Sequence, residues 1–105
     1  MKYHNQKTTI DGIVFDSKKE AKRYTVLRSL QEGGYIRGLE LQVPFELVPK
    51  GNGERAVKYI ADFVYYDIEK QVSIVEDVKG YKTDVYKLKR KLFKWRYPEY
   101  EFLET

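Results

Sequence analysis

At 105 residues with a formal charge of +4, the chain is the length of one domain, 1–105, and only mildly basic. Its 42% hydrophobic content, with ten Tyr, five Phe and one Trp, can build a core, but no stretch reaches the ~20 apolar residues that cross a bilayer, and the polar N-terminus lacks a signal-peptide apolar run. The absence of cysteine excludes disulfides, zinc–thiolate sites and thiol catalysis, and with His4 as the single histidine any metal is expected on carboxylates, which favours hard ions such as Mg²⁺ or Mn²⁺.

In chain order, "KTTIDGIVFDS" alternates around Asp11-Gly12, the signature of a two-residue hairpin turn. Ser17 opens a helix expected to run to about Glu32, with Glu20 completing a capping box and Gly33-Gly34 ending it. "LQVPFELVP" reads as the first core strand, at an edge or irregularity because of Pro44. "AVKYIADFVYYDI" is a long second strand, and a short turn, "EK" or "EKQ", leads into a third, "VSIVEDVK". Gly80 breaks that strand, and Thr83 or Asp84 caps a second helix running to about Trp95. Pro98 stops it before a last short strand, "EYEFLE". Residues 1–16 form an arm and hairpin and residues 17–105 the core of an α+β domain.

Residues two apart share a face of a strand. In the third strand Asp77 and Lys79 lie on one side, and Glu76 points to the other. In the second, Asp62 falls in line with Ile60 and Val64, where an unpaired carboxylate costs several kcal/mol in effective terms and needs a partner or water. On the first helix, Glu20 sits with Ala21, Tyr24 and Leu27 in the core-facing arc. Taken singly, Glu20 reads as half of a capping box, and Asp77 with Lys79 as an ordinary ion pair.

Together, "KYIADFVYYD", "VEDVKGYKTDVYKLKRKLF" and "MKYHNQKTTIDGIVFDSKKEAKRY" give the chain a resemblance to the PD-(D/E)XK nuclease superfamily. It is similar to small phage and prophage proteins of that group, some relatives of which are Holliday-junction resolvases, with Ala61 standing where the motif's proline would be. The resemblance implies a restriction-endonuclease-like αβββαβ core, a mixed central sheet flanked by helices, preceded here by a β-hairpin. It also implies a metal-dependent endonuclease acting on branched or duplex DNA in phage recombination or replication. Glu20, Asp62, Asp77 and Lys79 would be catalytic; Glu20, Asp62, Asp77 and the Val78 carbonyl would hold Mg²⁺, with Mn²⁺ able to substitute. Gln42 and Tyr81 are further candidate members of the site. A homodimer would follow from resolvase activity, in the cytoplasm of a bacterial host if the chain is phage-encoded.

From Lys79 to Arg96 there are eight basic residues and one acid. Val85, Leu88, Leu92 and Trp95 recur at helical spacing and are expected to form the buried stripe of the second helix. Lys82, Lys87, Arg90, Lys91 and Lys94 would then track a DNA backbone, contacts that position nucleic acid without reading its sequence. Two alternatives share much of this pattern. One is a non-catalytic double-stranded-RNA-binding-like αβββα module, although such a module needs neither converging acids nor a strand after the second helix. The other is an inactive nuclease-fold subunit.

Overall fold

The computed structural model describes residues 6–105; Met1–Asn5, with His4 and the start of the N-terminal arm, lie outside the described residues. The chain begins with β1 (Thr8–Ile10) and β2 (Ile13–Phe15), paired antiparallel. Asp11 and Gly12 both take positive φ (54° and 76°), as the tight turn of a two-residue hairpin requires. Helix α1 (Lys18–Glu32) follows, with Ser17 accepting the Glu20 N–H at 3.1 Å as its N-cap. Asp11 ties the hairpin to α1, accepting from Tyr24 Oη (3.0 Å) and Arg28 Nη1 (2.6 Å).

The main sheet has the order β3 (Ile36–Val48), β4 (Val57–Asp67), β5 (Val72–Asp77), β6 (Glu101–Glu104). β3–β4 and β4–β5 are antiparallel, while β5–β6 is parallel and is bridged by α2 (Asp84–Arg96), as a parallel pair demands. Thr83 caps α2, accepting from the Tyr86 N–H at 3.0 Å. β3 is an edge strand, which is where Pro44 can sit without depriving an inner strand of an N–H. Hairpin, α, β, β, β, α, β is therefore the observed order: an α+β domain with a mixed sheet flanked by helices, matching the PD-(D/E)XK-like fold at the level of superfamily architecture. Among the described residues no helix is long and apolar enough to cross a membrane.

The helices cover opposite faces. Ala21, Tyr24 and Leu27 of α1 pack with Phe63, Tyr65 and Ile74, whereas Tyr86 and Phe93 of α2 pack with Val64, Val75, Tyr59 and Ala61. Two expectations need correcting. The stripe Val85–Leu88–Leu92–Trp95 is not the buried one: Val85, Leu88 and Trp95 are exposed and Leu92 is half-buried. Phe93 wins because it meets a ring of aromatics, Phe45, Tyr59, Tyr97, Tyr100 and Phe102, with centroids 5.0–5.9 Å away. Strict alternation also fails in the long strands. Leu39, Leu41, Phe63 and Tyr65 join the α1 cluster, but Val43, Phe45, Tyr59 and Ala61 join the α2 cluster. Both strands change sides between the partners Leu41↔Phe63 and Val43↔Ala61, at Gln42 and Asp62. Gln42 has φ 53°, a left-handed backbone that breaks the pleat. Asp62 therefore sits at a switch in the sheet; Ile60, its expected companion, is exposed.

Candidate functional site

The sheet switch lies beneath the start of α1, and this brings side chains from α1, β3 and β4 together. Ser17 satisfies the Glu20 N–H, but the Glu20 carboxylate does not complete the capping box. It turns inward, buried, and accepts from Gln42 Nε2 at 3.1 Å. The same amide reaches Asp62 Oδ1 at 3.4 Å, so Gln42 bridges the two acids. Asp62 Oδ2 accepts from the Val78 N–H at 2.8 Å, which pins β4 to the chain just beyond β5. One neutral amide and one peptide N–H cannot offset two neighbouring carboxylates. Burial, then repulsion from Asp62, pushes the Glu20 carboxyl up to about 7. Burial also pushes Asp62 up to about 6, with Asp77 adding to the rise and the Val78 N–H, Lys79 and Gln42 opposing it. At neutral pH and without a cation, the pair holds a shared proton for part of the time.

Asp77 and Glu76, adjacent in sequence, face opposite sides of β5. Asp77 is 1% exposed, and its Oδ1 accepts from Tyr59 Oη at 3.0 Å. Its Oδ2 forms an ion pair with Lys79 Nζ at 3.3 Å and, among the described residues, accepts no hydrogen bond. Burial, then Asp77, holds the Tyr59 phenol far above its ordinary range, so it stays a donor. Lys79 Nζ also rests over the Tyr86 ring, 4.7 Å from its centroid, and the Lys79 carbonyl accepts from Lys19 Nζ at 3.0 Å. A cleft of about 740 Å³ opens between the start of α1 and the loop after β5, lined by Asp16, Lys19, Glu20, Asp62, Lys79 and Tyr81 among others. Asp77, buried, is not part of that lining.

Of the basic residues on and before α2, Lys82 and Arg90 are committed to Glu104, at 3.4 and 2.8 Å, and Lys94 lies over Phe102 at 5.6 Å. Lys87 and Lys91 are exposed and have no carboxylate partner among the described residues. Sequence reasoning missed two networks. Glu76 is wholly buried and paired with both arms of Arg23, with Tyr65 Oη at 2.7 Å and Thr105 Oγ1 at 3.0 Å. Glu104 gathers Tyr86, Arg90 and Lys82; burial raises its carboxyl, but the bonds from Tyr86 and Arg90 outweigh this and hold it down to about 2. The parity of β5 already sends Glu76 to the α1 face, where a buried carboxylate demands a cation, and that demand was the available signal for Arg23.

Among the described residues, no three His, Cys, Asp or Glu side chains close into a metal-binding cluster. The donor set nevertheless suits a hard divalent cation: two crowded carboxylates raised first by burial and then by neighbouring acids, with the buried Asp77 carboxylate contributing to the rise in both. The chain belongs to a family described as "Protein of unknown function (DUF1064)", which matches residues 1–103. Comparison with curated proteins and with solved structures gives no match.

Proposed function

We propose that this member of the family is a metal-dependent endonuclease that hydrolyses phosphodiester bonds in branched or duplex DNA, in the manner of Holliday-junction resolvases. One observation carries the reading: Glu20 from α1 and Asp62 from β4 share a single amide donor on the wall of an open cleft beside Lys79. Crowding acids in this way costs stability unless a cation relieves it, and structural ion pairs do not need it. The fold is of the restriction-endonuclease-like kind, consistent with this chemistry.

Glu20 and Asp62 would hold Mg²⁺ or Mn²⁺, with Asp77 Oδ2 and the Val78 carbonyl as further donors. Such an ion supplies a water acidic enough to attack and a charge that offsets the phosphate. Because burial raises both carboxyls, Glu20 and Asp62 would have to lose a proton to hold a cation, so its binding would strengthen as pH rises. Lys79, held at the cleft wall by Asp77 and Tyr86, places an ammonium where charge develops on the scissile phosphate. Lys82, Lys87, Arg90, Lys91 and Lys94, with Tyr81 at the cleft mouth, would follow the DNA backbone; Lys87 and Lys91 are the freest to do so.

That no three acids close into a cluster among the described residues favours a second reading, a nuclease-fold subunit that binds DNA without cutting. Plasmid, linear duplex and a four-way junction incubated with Mg²⁺, Mn²⁺ or EDTA separate the two. Metal-dependent cutting that disappears in Lys79→Ala supports the enzyme; metal-independent binding with every substrate intact rejects it.

A further inference from the structure

Helix α2 carries two apolar stripes and the domain covers one. Tyr86 and Phe93 enter the core, while Val85, Leu88 and Trp95 are 64%, 58% and 77% exposed, with half-buried Leu92 between them. Their spacings of three, four and three residues are those of successive a and d positions in a heptad pattern. In that frame the buried Tyr86 and Phe93 are both b positions, opposite the seam, so the helix can present its outer face without leaving the sheet. The seam runs the length of α2, roughly 20 Å at 1.5 Å per residue, room for about two heptads of a partner helix.

The flanks say which helix would fit. Lys89, Lys91 and Arg96 occupy e and g positions, and Asp84 is the sole acid on α2. Lys89 and Lys91 have no carboxylate partner among the described residues, while Arg96 Nη2 lies a loose 3.7 Å from Glu46. In coiled coils these flanking positions select the partner by charge. A second copy would set Lys91 against Lys91 and Lys89 against Lys89 when antiparallel; when parallel, the attraction of Asp84 for Lys89 is offset by the repulsion of Lys91 and Arg96, so self-pairing gains less than pairing with an acidic helix. Nucleic acid would match the lysines but leave the aliphatic seam of Val85, Leu88 and Leu92 without a use. We propose that the outer face of α2 docks an acidic amphipathic helix of a partner protein, with Leu88 and Trp95 as its anchors. The inference does not rest on the nuclease reading, and either can fail alone.

Trp95 is the only tryptophan, so its emission reports on this face directly. The full chain is titrated with a synthetic helical peptide bearing Leu at a and d and Glu at e and g, and with a twin bearing Lys at e and g. Expected are a saturable blue shift with the acidic peptide, weakened by salt, no shift with the lysine twin, and roughly tenfold weaker binding in Leu88→Ser. Leu88 is exposed, so circular dichroism should show that variant folded. No shift with the acidic peptide, or equal shifts with both twins, would overturn the proposal. So would a dimer with blue-shifted Trp95 before any peptide is added.

Discussion

Arg23→Ala tests the charge arrangement behind the candidate site. Glu76 is 0% exposed, and its oxygens accept from Arg23 Nε and Nη2, Tyr65 Oη and Thr105 Oγ1. Removing the guanidinium leaves a buried carboxylate with two neutral donors and no cation. Breaking a buried pair from one side costs about 3–5 kcal/mol. The Arg23 side chain is 27% exposed, so water can enter the gap, and the remaining hydroxyls soften the loss; about 3 kcal/mol is expected. In a chain of this size that lowers Tm by about 12–20 °C. Urea unfolding at neutral pH, with the slope m checked for constancy, reads the change. Adding Glu76→Gln to Arg23→Ala should restore most of the stability, because without a charge the amide oxygen accepts from one hydroxyl and the amide NH2 donates to the other. A loss below about 1 kcal/mol in the single variant, or no recovery in the double, would refute the view that the buried Glu76 depends on Arg23 as its partner.

Asp77→Asn, on the other face of the same strand, should separate stability from activity. The amide keeps the Tyr59 contact and gives up only the ion pair to the partly exposed Lys79, so unfolding should shift by no more than about 1 kcal/mol, while on the proposed nuclease reading DNA cutting falls about 10²-fold or more. Phe93→Ala should cost about 3–5 kcal/mol and Trp95→Ala less than about 0.5, read by the same urea midpoints, because only Phe93 is packed among aromatics. Without metal, stability should fall as pH rises from about 5 to about 7: Glu20 and Asp62 are raised to about 7 and about 6, so the folded state binds more protons there than the unfolded one. Glu104, held down to about 2, has the opposite sign, and its contribution is lost as pH drops below about 4.5 toward 2. A maximum near pH 4, flattened on its alkaline side in Glu20→Gln, is the expected profile.

Local chemistry made much of the fold legible. Asp11-Gly12 can form only a narrow set of turns, Ser17 and Thr83 offer oxygens to orphan N–H groups, and two-residue parity alone sends Glu76 and Asp77 to opposite faces of β5. These outcomes depend on neighbours a few residues apart, so the sequence by itself determined them. Others depended on what meets what across the domain. α2 has two apolar stripes, and periodicity cannot choose between them. The choice fell to Phe93 because Phe45, Tyr59 and Phe102 arrive from distant strands to enclose it. The change of face at Gln42 and Asp62 is invisible to alternation, since a left-handed glutamine has no local signature and persists only where surrounding contacts hold it. That change places Gln42 between Glu20 and Asp62, so the partnership of the site's acids belongs to the tertiary structure, where long-range packing outweighs local preference.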